Sequence, residues 1–311
     1  MFLYFLKRLL LFVPTLLGIT IITFLLMQAL PGDPVQTLAG ERADPGTIER
    51  IRAELGTDRP LPVQYIGYLK LLLQGELGRS YYTNRRVTDE LAQKFPNTVK
   101  LALAAVLFAS VGGVALGILA AVRRDTLWDR LASFLSVGGI SLPVFWLGLT
   151  LMLIFALHLR WLPPSGMGNG HPAYLILPAV TLGTFSLAYI SRVTRSSMIE
   201  TLSQPYIAAA RAKGLSGRVV VLKHALKNAL VPVVTLIGLD LGSYLNGAVL
   251  TETIFGWDGL GRYALDGIMK RDYPVIMGVV LFGAALFVIM NLLVDLTYHL
   301  LDPRMRVQSG S

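Results

Sequence analysis

The amino-acid sequence predicts an all-α, polytopic membrane protein with six transmembrane helices and with both termini in the cytoplasm. Three observations predict this fold class: an apolar composition, six long apolar stretches, and an uneven distribution of Lys and Arg between the connecting segments. Of the 311 residues, 54% are hydrophobic and 15% are charged, whereas an average soluble domain carries about 25% charged residues. This composition excludes a soluble enzyme and a disordered chain.

Six stretches are long and apolar enough to cross a hydrocarbon core about 30 Å thick, which takes roughly 20 helical residues. They are Leu9–Leu30, Val99–Val122, Phe134–Leu157, Leu175–Ile190, Val231–Leu250 and Val275–Leu301. The first is longer than the apolar region of a secretory signal peptide, which spans about 7–15 residues. It also lacks a small-residue cleavage site, so we interpret it as a retained span.

The distribution of Lys and Arg predicts the orientation, because short cytoplasmic segments carry an excess of these residues. With the N-terminus inside, the cytoplasmic segments hold about 14 of them and the short outside loops hold about 4. The cytoplasmic segments are 1–8, 123–130, 191–230 and 302–311, and the short outside loops are 159–174 and 251–274. The net charge of +9 is therefore mainly a feature of membrane topology, and we expect no nucleic-acid partner.

The outside segment 31–98 is expected to form a small helical cap. The sequence predicts one helix from Pro45, capped by Asp44 and ended by Gly56, and a second from Pro62 to Gln74. A third, short helix should begin near Val87 and end before Pro96. The cap could pack on the membrane face, or it could be a docking surface for an extracytoplasmic partner, and these two interpretations are compatible.

The cytoplasmic loop 191–230 has the pattern of a helix, a glycine turn and a second helix. Pro205 suits a first helical turn, a run of alanines favours helix, and Gly214 suits the residue after its end. Ser216 could cap the second helix, which Pro232 should limit or kink. Such a slim, basic helix could lie in the groove of a partner protein or rest on anionic lipid headgroups, and the residues alone leave both open.

The Ala-Ala-x-x-x-Gly pattern at Ala209, Ala210 and Gly214 resembles the cytoplasmic loop of permease subunits of bacterial ABC importers, with Ala208 where that family has Glu. Further motifs resemble a narrower branch, the dipeptide, oligopeptide, glutathione and nickel permeases. They are Leu30–Val35, Gly75–Ser80, Tyr189–Met198, Ala210–Ser216, His224–Pro232, Thr251–Arg262, Arg271–Val275, Asn291–Tyr298 and Leu301–Arg304. Because these motifs occur together and in order, the chain is identified as a member of this branch.

The resemblance implies the transmembrane domain of a type I ABC importer, spanning 1–311 as one permease domain in the lipid bilayer. It implies a second homologous permease subunit, two ABC ATPase subunits, and an extracytoplasmic substrate-binding protein. The loop 203–228 would then hold the helix that couples to the ATPase. The ATPase-coupling residues implied are Ala208, Ala209, Ala210, Arg211, Lys213 and Gly214.

No catalytic or cofactor site is expected in this chain. It has no G-x-x-x-x-G-K-[ST] phosphate loop, so ATP and Mg should be bound by the partner ATPase subunits. Its four histidines are scattered and form no H-E-x-x-H pair, so no metal site is expected. We therefore expect a transport subunit rather than an enzyme.

Polar residues within the apolar stretches are candidates for the translocation pathway. Asp240, Ser243 and Tyr244 share one helical face by their spacing. The full candidate set is Asp240, Ser243, Tyr244, Asn246, Thr184 and Ser186. The alternative is a helix–helix hydrogen bond or a charge paired with the partner subunit. Gly112, Gly113 and Gly117 indicate close helix packing, and Pro143 and Pro178 could kink their helices.

Short peptides, delivered by the binding protein, are the cargo that the resemblance favours. The same importer type could instead carry glutathione or nickel chelates. A self-sufficient channel or secondary transporter is the alternative of another class, and it would need an intramembrane relay or inverted repeats. A membrane scaffold is a third interpretation, against which the charged Asp240 face argues mildly.

Overall fold

The computed structural model describes residues 2–29, 35 and 45–301. Asp44 and most of the Leu30–Val35 and Leu301–Arg304 motifs lie outside these residues. The chain divides into two compact units, the first formed by Met1–Thr98 with Asp258–Ile289 and the second by Val99–Trp257 with Met290–Ser311. Throughout the part that the structure describes, the regular elements are helices and there is no β-strand.

The helices are numbered in chain order. They are α1 (Phe2–Ala29), α2 (Pro45–Leu55), α3 (Leu61–Leu73), α4 (Val87–Val122), α5 (Leu127–Ser141), α6 (Val144–Leu151), α7 (Ala173–Leu202), α8 (Pro205–Ala212), α9 (Gly217–Leu245), α10 (Val249–Ile254), α11 (Leu260–Lys270) and α12 (Tyr273–Leu301). Two stretches are π-helical: Met152–His158, which continues α6, and Val220–Ala225, which lies within α9.

Four helices, α4, α7, α9 and α12, are long and apolar enough to cross a membrane, and α5 with α6 could form a fifth span. The first predicted stretch forms α1, which has 28 residues, but its apolar part with described side chains, Pro14–Leu26, is shorter than a full span. The all-helical membrane architecture is thus confirmed, with four to five candidate spans among the described residues.

The predicted third stretch, Phe134–Leu157, is not one helix. α5 ends at Ser141 and α6 starts at Val144, and the two meet at an angle of 108°. Leu142 is extended, with φ −81° and ψ 127°, because the ring of Pro143 disfavours a helical conformation in the residue before it. Pro143 also lacks the N–H that would continue the helix.

The short third helix of the cap was also predicted incorrectly, because α4 continues through Pro96 instead of ending before it. Three contacts hold this part of α4 to the start of α11 and the residues just before it. The Lys94 ammonium lies 2.6 Å from Asp258 Oδ1, the Asn97 amide donates to the Asp258 carbonyl at 2.9 Å, and the Leu260 N–H donates to Thr98 Oγ1 at 2.8 Å. These tertiary contacts offset the hydrogen bond that Pro96 cannot make.

The ends of several other helices also differ from the prediction. α9 ends at Leu245 rather than at 250, because Gly247 adopts a left-handed φ of +101°. It starts at Gly217 and passes through Pro232 without a break. α7 extends beyond the predicted Leu175–Ile190 at both ends. By contrast, α2 and α3 lie where the sequence placed them.

Glycines let α4 and α7 approach closely in the second unit, as the sequence predicted. A Cβ atom at Gly113 would lie 2.7 Å from the carbonyl oxygen of Leu187, and one at Gly117 would lie 2.5 Å from Thr194 Cβ. Real Cβ contacts are not this short, so any larger residue would force the two helices apart. The α4–α7 pair is therefore the tightly packed centre of this unit.

We expect Gly117→Ala to destabilise the purified protein by about 1–3 kcal/mol, the usual cost of inserting a methyl group into a packed contact. Gly138→Ala is the matched control, because a Cβ at this position in α5 has no heavy atom within 4 Å. Thermal unfolding in detergent measures the difference. Equal melting temperatures for the two variants would contradict the packing described here.

Candidate functional site

The predicted coupling loop contains α8, an eight-residue helix that starts at Pro205 and ends in a glycine turn. Gly214 has φ +78°, which L side chains rarely adopt. Its N–H donates to the Arg211 carbonyl at 3.0 Å, and the Leu215 N–H donates to the Ala210 carbonyl at 3.4 Å. This pair of bonds is a Schellman motif, which satisfies the last carbonyls of the helix. Gly214 thus redirects the chain sharply towards α9.

One face of α8 is buried against three long helices. Ile207 is fully buried and packs in a cluster with Ala210 and with Met198 of α7, which is also 0% exposed. α4 contributes Ala121 to this cluster, and α9 contributes Val220, Ala225 and Ala229. In addition, the Asn228 amide of α9 donates to the Tyr206 hydroxyl at 2.7 Å.

The other face of α8 is exposed. Of the predicted coupling residues, Ala208, Ala209, Arg211 and Lys213 are exposed, whereas Ala210 lies in the buried cluster and Gly214 shapes the turn. Leu222, in the π-helical part of α9, is 58% exposed. The exposed surface combines small, basic and apolar side chains, so the backbone of α8 lies close to the surface and has positive charge beside it.

Three of the predicted pathway residues come together between α7 and α9. Ser186 is 2% exposed, and its Oγ lies 2.6 Å from the Tyr244 hydroxyl. The Tyr244 hydroxyl also donates to the Leu182 carbonyl at 3.1 Å. Asp240 lies one turn before Tyr244, is half-buried, and interacts with the Ser186 side chain. This group is a polar contact between two candidate spans, with one carboxylate at its edge.

The remaining three candidates lie apart from this group. Thr184 donates its hydroxyl to the Val180 carbonyl of its own helix at 2.6 Å. Asn246 follows α9, where its amide donates to the Gly242 carbonyl at 3.0 Å. Ser243 is exposed. A lining role for any of the six residues remains a prediction.

The first unit contains a cavity of about 860 Å³. Residues from α1, α2, the turn 56–59, α3, the segment 76–84 and the start of α12 line it, among them Tyr68, Tyr81, Arg59 and Arg79. Burial, together with the nearby Asp272 carboxylate, raises the pKa of Tyr81 to about 12. Its hydroxyl therefore stays neutral at physiological pH. Asp272 itself accepts hydrogen bonds from the Ser80 hydroxyl and the Tyr81 N–H, at 2.5 and 3.1 Å.

The second unit contains an ion pair that was not predicted from the sequence. Arg195 of α7 donates two hydrogen bonds to Asp129 of α5, from Nε to Oδ1 at 2.7 Å and from Nη2 to Oδ2 at 2.8 Å. Arg195 lies within the Tyr189–Met198 motif, which is the one signal in the sequence that points to this residue. Its partner is 66 residues away in sequence, so the pairing could not be deduced from spacing.

Two family models match almost the whole chain. The model of the binding-protein-dependent transport system inner membrane component matches residues 113–307. A second model, for the N-terminal part of such membrane components, matches residues 1–102. The chain belongs to this family. It is therefore a multi-pass protein of the bacterial inner membrane, and it works in a binding-protein-dependent transport system.

Curated relatives of this family member cover nearly its full length. The dipeptide transport system permease protein DppB of Escherichia coli K12 is 42% identical, over 97% of this chain and 98% of the relative. The di/tripeptide transport system permease protein DppB of Pseudomonas aeruginosa UCBPP-PA14 is 44% identical, over the same shares. The glutathione transport system permease protein GsiC of Pectobacterium atrosepticum is also 44% identical, over 97% and 98%.

Solved structures confirm the importer-permease fold. The MetNI methionine ABC transporter, in an inward-facing conformation, matches with a TM-score of 0.57 and 18% identity, over 68% of this chain and 96% of that chain. An amino acid ABC transporter matches with a TM-score of 0.52 and 17% identity, over 68% and 93%. At this level of identity the likeness shows the fold alone.

We expect Ser186→Ala and Tyr244→Phe each to destabilise the permease by about 1 kcal/mol, because each removes a hydrogen bond from a mostly buried contact. The double variant should cost less than the sum of the two, since the same bond is lost only once. Tyr189→Phe, at an exposed position of α7, is the matched control. Thermal unfolding of all four variants measures the coupling, and strict additivity would show that the two hydroxyls do not interact.

Proposed function

We propose that this chain is the permease subunit of an ATP-driven ABC importer that takes up short peptides delivered by a soluble binding protein. The observation that carries the proposal is the 42–44% identity, over 97% of the chain, to permeases named for dipeptides and for di- and tripeptides. Similarity over the full length includes both the cap and the cytoplasmic loop. The assignment therefore rests on the whole permease and not on one shared motif.

In the proposed complex, this chain forms half of the pathway and a second homologous permease forms the other half. Two ABC ATPase subunits bind on the cytoplasmic side, and they supply the ATP and Mg sites that this chain lacks. Six spans place both termini in the cytoplasm. The extracytoplasmic cap, 31–98, receives the substrate-binding protein.

The exposed face of α8 carries the contact with the ATPase. Ala208 and Ala209 have small side chains, so the backbone can approach a groove closely, while Arg211 and Lys213 can pair with acidic groups beside it. Displacement of α8 then moves Met198 of α7, because Ile207 and Met198 belong to the same buried cluster. ATP binding thereby favours one arrangement of the long helices over another, which is the free-energy coupling that transport requires.

The polar group between α7 and α9 contributes to the pathway. Asp240 offers a carboxylate that can attract the amino group of a peptide, and Ser186 with Tyr244 offers hydroxyls to its backbone. Peptide backbones carry both donors and acceptors, so hydroxyl groups suit cargo of variable sequence. Polar side chains at this depth are costly unless they have such a use.

Glutathione is a second candidate cargo. The specific observation in its favour is the 44% identity to GsiC, which equals the identity to the di/tripeptide relative. Glutathione is itself a tripeptide with one side-chain linkage. The same permease architecture can therefore serve both, with the binding protein deciding between them.

Uptake into proteoliposomes tests the cargo. We expect the complete complex, with its binding protein, to accumulate a radiolabelled dipeptide only when ATP and Mg are present on the side of the membrane that carries the ATPase subunits. Excess unlabelled di- and tripeptides should compete. Competition by glutathione alone would favour the second candidate, and uptake without ATP or ATPase subunits would contradict the importer proposal.

Replacing Gly214 tests the coupling role of the loop. Gly214→Pro should reduce uptake by about tenfold or more, a change within the usual range of coupling free energies, while ATP hydrolysis continues. The reason is that the left-handed turn after α8 is lost. Gly214→Asn is the matched control, since Asn tolerates this conformation. Normal uptake by Gly214→Pro would rule out the coupling assignment.

A further inference from the structure

The Asp129–Arg195 ion pair has a buried carboxylate, a partly exposed guanidinium and a defined geometry. The Asp129 side chain is 6% exposed and the Arg195 side chain is 33% exposed. Two parallel N–H···O bonds fix both the distance and the relative orientation of the two groups. A buried pair of this kind contributes little net stability, because removing two charges from water costs about as much as their attraction returns. Its precise geometry therefore calls for an explanation other than stability.

Asp129 also fastens the turn that precedes α5. The Asp125 N–H donates to Asp129 Oδ2 at 3.0 Å, and Asp125 itself has a left-handed φ of +64°. One carboxylate thus holds both the α4–α5 turn and the guanidinium of α7. The start of α5 cannot shift relative to α7 without breaking hydrogen bonds.

The ion pair is next to the buried cluster that carries α8. Met198 lies three residues after Arg195 on α7 and belongs to the same buried cluster as Ile207. Thr194, which directly precedes Arg195, is fully buried where α7 meets Gly117 of α4. The cluster residues come from α4, α7, α8 and α9, and the ion pair connects α5 to this group of helices.

Elsewhere, α5 meets α7 through small residues. A Cβ at Gly139 would lie 3.0 Å from the Ala188 Cβ, so this contact is close but apolar. Apolar contacts are non-directional, whereas the bidentate pair fixes a direction as well as a distance. α5 packs extensively along α7, and the ion pair adds to this packing a contact that fixes the relative orientation of the two helices.

We propose that the Asp129–Arg195 pair is a rigid joint that makes α5 move with α7 when α8 is displaced, so that it transmits the coupling movement to the broken α5–α6 helix. This inference rests on the proposed importer function. Asp129 and Arg195 act as positioning residues: neither contacts cargo or nucleotide, and both determine where α5 stands in each state. The movement then reaches the 108° break before Pro143, where α6 begins.

The first experiment measures transport per ATP hydrolysed by the complete complex in proteoliposomes. Asp129→Asn and Arg195→Gln should each lower this ratio by about tenfold, while complex assembly and ATP hydrolysis are kept. The exchange variant Asp129→Arg with Arg195→Asp should recover part of the ratio. Arg192→Gln is the matched control, because it removes the same charge from an exposed position on the same helix.

Asp129→Glu and Arg195→Lys keep both charges but change the two-bond geometry. These two variants replace the neutral ones if the neutral variants do not fold. Their transport per ATP hydrolysed should lie between the values of the parent protein and the neutral variants. A normal ratio in the single variants would overturn the joint. So would a parallel loss of assembly, hydrolysis and uptake that the exchange variant does not repair, because that pattern describes a purely structural contact.

The second experiment follows α5 directly and does not depend on the cargo. The chain contains no cysteine, so Leu131→Cys on α5 and Ile176→Cys on α7, both at exposed positions, can be spin-labelled in the assembled complex. The distance between the labels should be the same without nucleotide and with ATP and vanadate. In Asp129→Asn this distance should shift or broaden with nucleotide.

These two readouts separate failure of the joint from failure of the proposed function. A label distance that changes with nucleotide in the parent protein, or one that stays constant in Asp129→Asn, would overturn the joint. A parent complex that hydrolyses ATP but imports no peptide would overturn the cargo assignment. In that case the label distances would still decide whether α5 is held to α7.

Discussion

Burial of Ile207 in a cluster with side chains of α4, α7 and α9 is the interaction on which the proposed coupling through α8 depends. An isolated helix shorter than about 12–15 residues is marginal in water, and α8 has only eight residues. Its helical form therefore depends on the buried cluster, to which a fully buried isoleucine contributes about 1.5–3 kcal/mol. Because α8 is formed by docking, it cannot be displaced without moving the side chains of α4, α7 and α9 that surround it. A displacement of this short surface helix is thereby passed on to the long helices that surround it.

The rest of the second unit fits this arrangement. The glycine contacts between α4 and α7 hold these two helices close together, so we expect them to move as one. By contrast, the chain is interrupted at Leu142 and Pro143, where a change of angle costs no helical hydrogen bond. Rigid packing next to α8, the proposed coupling helix, with a break farther along, is a combination that lets a small displacement become a change of helix direction.

Much of this architecture could be predicted from the sequence. The apolar stretches and the turn glycines identified most helices. Gly214 was placed correctly at the end of the alanine-rich helix, because the left-handed turn there favours glycine. The motifs along the chain identified the family, which the relatives confirm. The helix ends were less predictable. Pro96 was expected to end a helix but is tolerated, because Lys94, Asn97 and Thr98 fasten that segment to residues more than 160 positions away.

Pro143 broke its helix, as a proline can, and nothing local distinguishes it from Pro96.

The candidate site was predictable to a similar degree. Helical spacing put Asp240 and Tyr244 on one face, but it could not show that Ser186 meets Tyr244 and that Ser243 and Thr184 lie elsewhere. Those pairings depend on how α7 and α9 cross, and sequence spacing carries no information on that.

Purification of this permease from its native membranes in mild detergent, followed by mass spectrometry of the proteins that accompany it, shows whether it works in a multi-subunit ABC importer. We expect a second, related permease together with one or two kinds of ATPase subunit that carry the phosphate loop absent from this sequence. Recovery of this chain alone, still active in proteoliposomes without ATP, would rule out the importer and indicate a channel or a secondary transporter.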